Sequence, residues 1–377
     1  MDLKTIQLKI LDDLPLDLVN ASVDFFNDNY PTRNKFKMES KFFISKIQSS
    51  DNSKVGYFTV ALFGDKVVGT CTAVVKELYC QNGVIRAVEI GDTYTARDFR
   101  RGCHFSEFYA GTNSSNDYLN KSIFGRLATE TLDRARLDGI QFVYGTPNLQ
   151  AKLSWLGRLD FKLVDGGYIK RITSPSIAHP QIKSTSLKFH SAKIYLKATF
   201  RINNFMTRRY SLKLIPKLDF EYSVDKSKIK IPIDTLKILD SNNWIKRRFL
   251  ENIDKDYRIV KVSSKSSNLP VGYLFFLEQE MDDGFKLLIL GKSIFNSKRL
   301  NKIRISLAKR AAENFFVYDS LSMWVDERVD HLRFKTLFGF FSRAVKVDIV
   351  GKSLNPESKF LENMSFFNFQ YADSDLG

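Results

Sequence analysis

No apolar run in this sequence approaches the ~20 residues that a membrane-crossing helix needs; stretches such as 287–290 fall far short. The opening Met1-Asp2-Leu3-Lys4 does not start a basic segment followed by an apolar core, so no secretion signal is expected. Cysteine is scarce: Cys71, Cys80 and Cys103 form neither an even set nor a metal-type spacing. That excludes a disulfide framework and points to a reducing compartment, the cytoplasm. His104, His179, His190 and His331 show no paired spacing for zinc, so no metal is expected. There is no Gly-x-Ser-x-Gly elbow, and no cysteine–histidine arrangement beyond the adjacent Cys103-His104.

What the chain does have is length, aromatic bulk and positive charge. At 377 residues it favours two cores over one, and its 32 phenylalanines supply material for both. The formal charge is +16 and is unevenly spread: residues 1–175 hold 23 basic and 20 acidic side chains, the remainder 35 and 22. Such an excess attracts polyanions without saying which. Nucleic acid, a membrane surface and phosphate-rich small ligands all qualify, as does a solvated basic surface with no partner.

Taken in order, 5–11 reads as a short strand. Residues 16–30 read as a helix stopped by Pro31, and 38–48 as a second helix with Phe42, Phe43 and Ile47 on one face. Three strands follow, at 56–63, 67–76 and 84–95, separated by the turn dipeptides Gly64-Asp65 and Asn82-Gly83. The third runs into Arg100-Arg101-Gly102, and a helix over 122–137 starts at Ser122, a good capping residue. A basic glycine turn leading to a helix start suits phosphate, because backbone N–H groups and the helix dipole both favour an anion. The same residues also fit a plain turn before an amphipathic helix. Gly139 ends the helix, 140–144 forms a strand, and Asn148 opens a segment closing on Leu159-Asp160-Phe161.

This order of elements, with these residues, resembles the GNAT superfamily of acyl-coenzyme A-dependent N-acyltransferases. The family's phosphate motif is Arg or Gln, two residues, Gly, one residue, then Gly or Ala, and polysaccharide-pathway members read Arg-Gly-Lys-Gly-Ile-Phe. Here the motif is split into Arg101-Gly102, an insertion over 103–120, and Lys121-Ser122-Ile123-Phe124. The flanks Glu89-Ile90-Gly91-Asp92-Thr93-Tyr94-Thr95 and Tyr144-Gly145-Thr146-Pro147-Asn148 are similar to those of the same members. Ser122 and Asp160 stand where the family has Gly. The insertion carries His104, Glu107, Asn116 and Tyr118, a set able to reach an acceptor.

The last third looks like a worn copy. Strands at 271–280 and 285–293 flank Asp282-Asp283-Gly284, a helix over 300–315 follows, then a strand at 321–326 and Thr336-Leu337-Phe338-Gly339-Phe340. Asn296-Ser297-Lys298-Arg299-Leu300 stands where a phosphate loop would hold glycines. Between the copies, 174–180 reads as a linker. Residues 187–215 are basic and aromatic; the spacing of Phe189, Ala192, Leu196 and Phe200 reads as a core-facing helix, while single-stranded nucleic acid is the other use of such a pattern.

The resemblance implies an α/β (α+β) mixed-sheet fold with two tandem GNAT-like domains, 1–175 binding acyl-coenzyme A and a degenerate 176–377 contributing to acceptor binding between the halves. It implies direct attack of an amine on the thioester, with backbone N–H groups holding the oxyanion. Gly91 is the natural position for the bulge that frees those groups. Gly91, Thr93, Tyr94, Arg100, Arg101, Gly102, Lys121, Ser122, Ile123, Phe124 and Asn148 are then the coenzyme-side candidates. Asp92, followed by Glu89 and His104, are candidate bases, and Tyr144 is the candidate acid for the departing thiolate. The implied acceptor is a nucleotide-linked amino sugar, a dTDP-linked 3-amino-3,6-dideoxyhexose, met by a monomer without nucleic acid. A tandem acyltransferase using aminoacyl-tRNA and a non-enzymatic polyanion-binding protein are the alternatives.

Overall fold

The computed structural model describes residues 6–10, 15–29, 39–48, 54–100, 122–173, 194, 198, 201, 204–221, 235–239, 242–251, 255–281, 284–325, 345–364, 366–368 and 370. In chain order the elements are β1 (Ile6–Ile10), α1 (Leu16–Asn29), α2 (Ser40–Ile47), β2 (Gly56–Phe63), β3 (Lys66–Cys80) and β4 (Gly83–Thr95). Then come α3 (Ile123–Leu137), β5 (Phe142–Gly145), α4 (Leu149–Arg158), β6 (Lys162–Thr173), β7 (Tyr210–Ile215) and β8 (Thr235–Ile238). The short α5 (Asn242–Ile245) continues as a π-helix over Lys246–Leu250, before β9 (Tyr257–Ser264), β10 (Pro270–Glu280) and β11 (Lys286–Phe295). The chain closes with α6 (Lys298–Lys302), α7 (Arg304–Phe315), β12 (Ser320–Val325), β13 (Val345–Ser353) and β14 (Phe366–Asn368).

Two compact units result. The first comprises Met1–Asp165, Ile229–Leu239 and Asp348–Asn368; the second comprises Gly166–Lys228, Asp240–Val347 and Phe369–Gly377. In the first, strand order is β1-β2-β3-β4-β5-β13, antiparallel except for the parallel β4–β5 step, with β8 on the far end of β3 and β14 beside β8. In the second, the order is β7-β9-β10-β11-β12-β6, antiparallel except for the parallel β11–β12 step. The two sheets thus share one pattern of six strands with one parallel step in the same place. Each takes its sixth strand from the distant half of the sequence.

Side-chain alternation explains why both faces of each sheet are covered. On β2, Tyr57 and Ala61 join the core under α3 and α4, while Phe58, Val60 and Leu62 meet Phe26 and Phe43 of α1 and α2. On β10, Leu274 and Phe276 pack against α7, and Tyr273, Phe275 and Leu277 against Trp244 and Phe249. Helix ends follow local chemistry. Ser122 Oγ accepts the N–H of Gly125 at 2.9 Å and caps α3. Asp160, in the place of the family's Gly, adopts φ +57 just past α4, where Phe161 N donates to Trp155 O at 3.1 Å. This is the left-handed helix stop that glycine takes most easily and Asp tolerates.

Three readings change. The helix expected over 300–315 is two, α6 and α7, broken at Ile303. The end of the basic aromatic stretch is strand β7. The bulge expected at Gly91 lies one step later. The linker at 174–180, most of 187–209 and the segment 336–340 lie outside the described residues.

Candidate active site

The site lies where β4 and β5 stop pairing. Their register runs Ala87↔Phe142, Val88↔Val143 and Glu89↔Tyr144 and ends there, although β4 continues to Thr95. Residues 90–95 keep β3 on one edge, and no strand among the described residues covers the other. Gly145 sits at the divergence. A Cβ there would lie 3.0 Å from Ile90 Cγ2 and 3.2 Å from Ile90 O, so a side chain would push the two strands apart below the fork.

Just beyond the fork, β4 carries an extra residue. Thr72 pairs with Gly91 and Thr70 with Tyr94, so two steps on β3 match three on β4, a bulge across Asp92-Thr93. Asp92 takes φ +41, a conformation that costs an ordinary residue about 1 kcal/mol. Gly91 itself does not require glycine: a Cβ there would meet Thr72 Oγ1 only at 3.8 Å.

Neighbouring side chains hold the bulge. Lys46 Nζ of α2 donates to Asp92 Oδ2 at 2.7 Å, both side chains about 95% buried, with relative exposures of 5% and 4%. Thr72 Oγ1 donates to the same oxygen at 3.3 Å, and Thr70 Oγ1 to the Asp92 carbonyl at 3.0 Å. Thr93 Oγ1 donates to Gly91 O at 3.0 Å and to Cys71 Sγ at 3.5 Å. Burial pushes the Cys71 thiol up to about 11, so it is not a thiolate nucleophile near neutral pH.

A second buried pair lies three residues back: Lys76 Nζ stands 3.5 Å from Glu89 Oε2, at exposures of 3% and 2%. Tyr144, opposite Glu89 on β5, is fully buried. Taking charges out of water costs several kcal/mol per ion, and an apolar pair would fill the same core without that cost. Two such pairs lie within four positions of one strand, at and just beyond the point where β4 leaves β5.

Of the residues the sequence offers as coenzyme-side candidates, Tyr94 is anchored by its hydroxyl to Asn29 O at 2.6 Å and by an edge contact with Phe25. Arg100 Nε donates to Thr95 O at 2.8 Å, and its guanidinium lies 4.5 Å from the Tyr94 ring centre. At the start of α3, Ile123 is buried in the core and Phe124 packs edge-on against Trp155. Their side chains are therefore committed to packing, and it is their backbone N–H groups that helix geometry leaves to an outside acceptor. Asn148 Oδ1 caps α4 by accepting Ala151 N at 2.9 Å. Arg101, Gly102, His104 and Lys121 lie outside the described residues.

The structure thus brings Glu89, Gly91, Asp92, Thr93, Tyr94, Arg100 and Tyr144 to one fork. Sequence reading missed Lys46, Lys76, Thr70 and Thr72, and gave Gly145 no role beyond its place in a flanking motif. Lys46 and Lys76 left a usable signal: one falls on the apolar face of α2 beside Phe43 and Ile47, the other at an inward position of β3 between Val74 and Leu78.

The second unit has the same fork in another state. β11 pairs with β12 up to Leu290↔Met323, and Gly291 is an extra residue between Phe276↔Leu290 and Phe275↔Lys292. Here, however, residues 291–294 are buried. The Gln370 carboxamide sits on Ser293: Oε1 accepts Ser293 N at 2.8 Å and Oγ at 2.9 Å, and Nε2 donates to Ser293 O at 3.0 Å. Buried Arg304 donates to the Trp324 carbonyl of β12 at 2.8 Å. Ser297 caps α6, so a helical turn replaces any open loop.

Comparison with solved structures places this architecture. A GCN5-related N-acetyltransferase from Kribbella flavida is similar over 93% of this chain and 73% of its own, with TM-score 0.55 and 10% identity. The chain has the GNAT fold. Saccharomyces cerevisiae N-myristoyltransferase, solved with bound myristoyl-CoA, is similar over 97% of this chain and 89% of its own, with TM-score 0.54 and 11% identity. No family model and no curated protein matches the sequence. At such identities the likeness concerns GNAT architecture, and chemistry has to be argued from the fork. No helix among the described residues is long and apolar enough to cross a membrane.

Proposed function

We propose that the protein is an acyl-coenzyme A-dependent N-acyltransferase that reacts at the fork of its first unit. The observation that carries this is the diverging β4–β5 pair with its bulge at Asp92-Thr93, whose outer edge over 90–95 no strand among the described residues covers. A thioester arm laid along that edge would have its carbonyl beside backbone N–H groups, the donors that acyl transfer needs for its oxyanion. The α3 start at Ser122 offers N–H groups to the coenzyme phosphates. Myristoyl-CoA in the fold neighbour from yeast supports the same class of donor.

Glu89 is the assigned proton acceptor. It lies at the last paired position of β4, opposite Tyr144, and its 3.5 Å pair with Lys76 is looser than the 2.7 Å contact from Lys46 that, with Thr72, engages the Asp92 carboxylate in holding the bulge. The acceptor amine gives its proton to Glu89 and attacks the thioester carbon. The C–S bond then breaks, and the departing thiolate takes a proton from Tyr144. The acceptor we assign is the amine of a nucleotide-linked amino sugar of the dTDP-3-amino-3,6-dideoxyhexose type, supported by the motif similarity across residues 84–162. The +13 excess beyond residue 175 suits its diphosphate. That same excess favours aminoacyl-tRNA as the second reading.

Calorimetric titration of the full chain with coenzyme A, dTDP and tRNA tests these readings. Coenzyme and dTDP binding are expected. Binding of coenzyme and tRNA without dTDP transfers the assignment to tRNA, and absence of coenzyme binding ends the acyltransferase reading.

A further inference from the structure

We infer that Lys46 is a positioning residue for acyl transfer, acting through Asp92 to set the strand bulge that presents backbone N–H groups to the thioester. This rests on the acyltransferase reading above, but the geometry behind it stands alone. Asp92 is one of three non-glycine residues with positive φ among the described residues, and the others, Asp160 and Asn268, lie in exposed turns. Asp92 instead has its side chain 4% exposed, inside a strand. An aspartate there needs compensation twice, for its backbone conformation and for its buried charge. Lys46 reaches from α2 to supply the charge at 2.7 Å, while Thr72 and Thr70 fix the carboxylate and the carbonyl. Lys46 Nζ is itself engaged at that carboxylate, which is why its influence on the reaction runs through the bulge.

The arrangement makes a specific double-substitution prediction. In Lys46→Met the Asp92 carboxylate is stranded in the core, the bulge relaxes, and KM for acyl-coenzyme A rises at least tenfold with a fall in kcat. Lys46→Arg keeps a cation in place and retains most activity. In Lys46→Met/Asp92→Gly, glycine adopts positive φ without strain and no charge is left behind, so KM returns to within about threefold of the parent. Amide hydrogen exchange over 91–95, measured by mass spectrometry without any substrate, follows the same order: fast in Lys46→Met, slow again in the double variant.

Recovery in the double variant supports the assignment. A folded double variant with protected amides but no turnover overturns it, because Asp92 is then needed as a carboxylate in the chemistry. Unchanged exchange and KM in Lys46→Met overturn it as well. If the parent chain fails to bind coenzyme, the acyltransferase reading fails, while the exchange data still decide whether Lys46 holds the bulge.

Discussion

The two forks of this chain share a strand order and differ in what fills them. In the first, β4 leaves β5 after Glu89 and stays partly exposed over 91–94. In the second, β11 leaves β12 after Leu290, and the edge is taken by the chain's own groups, Gln370 on Ser293 and Arg304 on the Trp324 carbonyl. Because β10 already pairs with one edge of Ser293, an amide bonded to both its N–H and C=O lies on the opposite edge, the side from which β12 has departed. A primary amide there does for one residue what a neighbouring strand would do. The lesson is that a strand fork has to be satisfied. An unfilled edge is a place for a ligand, and a filled one is a core.

The largest expected effect falls on the first fork. Glu89→Gln should lower kcat by about 10²–10⁴-fold and flatten its pH profile, with coenzyme binding retained; a profile unchanged in shape would remove Glu89 as base. Next is Lys309, fully buried on α7, whose ammonium burial pushes down to about 8 against the opposing pull of Glu313. Between about 8 and the ordinary 10.5, the unfolded chain binds a proton that the folded chain lacks, so stability rises with pH across that window. Denaturant melts should show the parent gaining on the order of 3 kcal/mol there relative to Lys309→Met; parallel curves would show that the buried ammonium is not penalised.

Arg304→Met should cost about 1–3 kcal/mol by stripping the Trp324 carbonyl of its donor, while leaving coenzyme affinity at the first fork intact. A loss of coenzyme affinity instead would erase the distinction between an open and a closed fork. Smallest is Gln370→Ala, about 1 kcal/mol, visible as faster amide exchange at Ser293.

Much of the first unit was legible because its signals are local. Strand β2 ends at Phe63, as the Gly64-Asp65 turn implies, and Ser122 caps α3 in the structure as its residue type suggests. Strand β3 runs on to Cys80 where sequence reading stops it at 76, because Lys76 looks like a strand end until Glu89 neutralises it. The closure of the second fork was harder to see. Missing glycines at 296–300 announced a lost phosphate loop, but nothing near Gln370 points to Ser293, a partner distant in sequence. Strand β13 escaped for the same reason, since its register with β5 depends on the fold and not on its neighbours. For the bulge, an isolated glycine was a near miss: the strand uses the adjacent aspartate because a lysine from α2 makes that conformation tolerable.

The exchange of sixth strands has a consequence for how this protein is made. During synthesis the first unit emerges without β13, whose Val350 and Gly351 must pair with Gly145 and Tyr144 beside the fork. That edge of β5 stays uncovered until β13, made after all six strands of the second unit's sheet, has left the ribosome. The first unit's sheet therefore stays incomplete until β13 is made, and a fragment ending near residue 175 would carry the fork with an open edge prone to pairing with other chains.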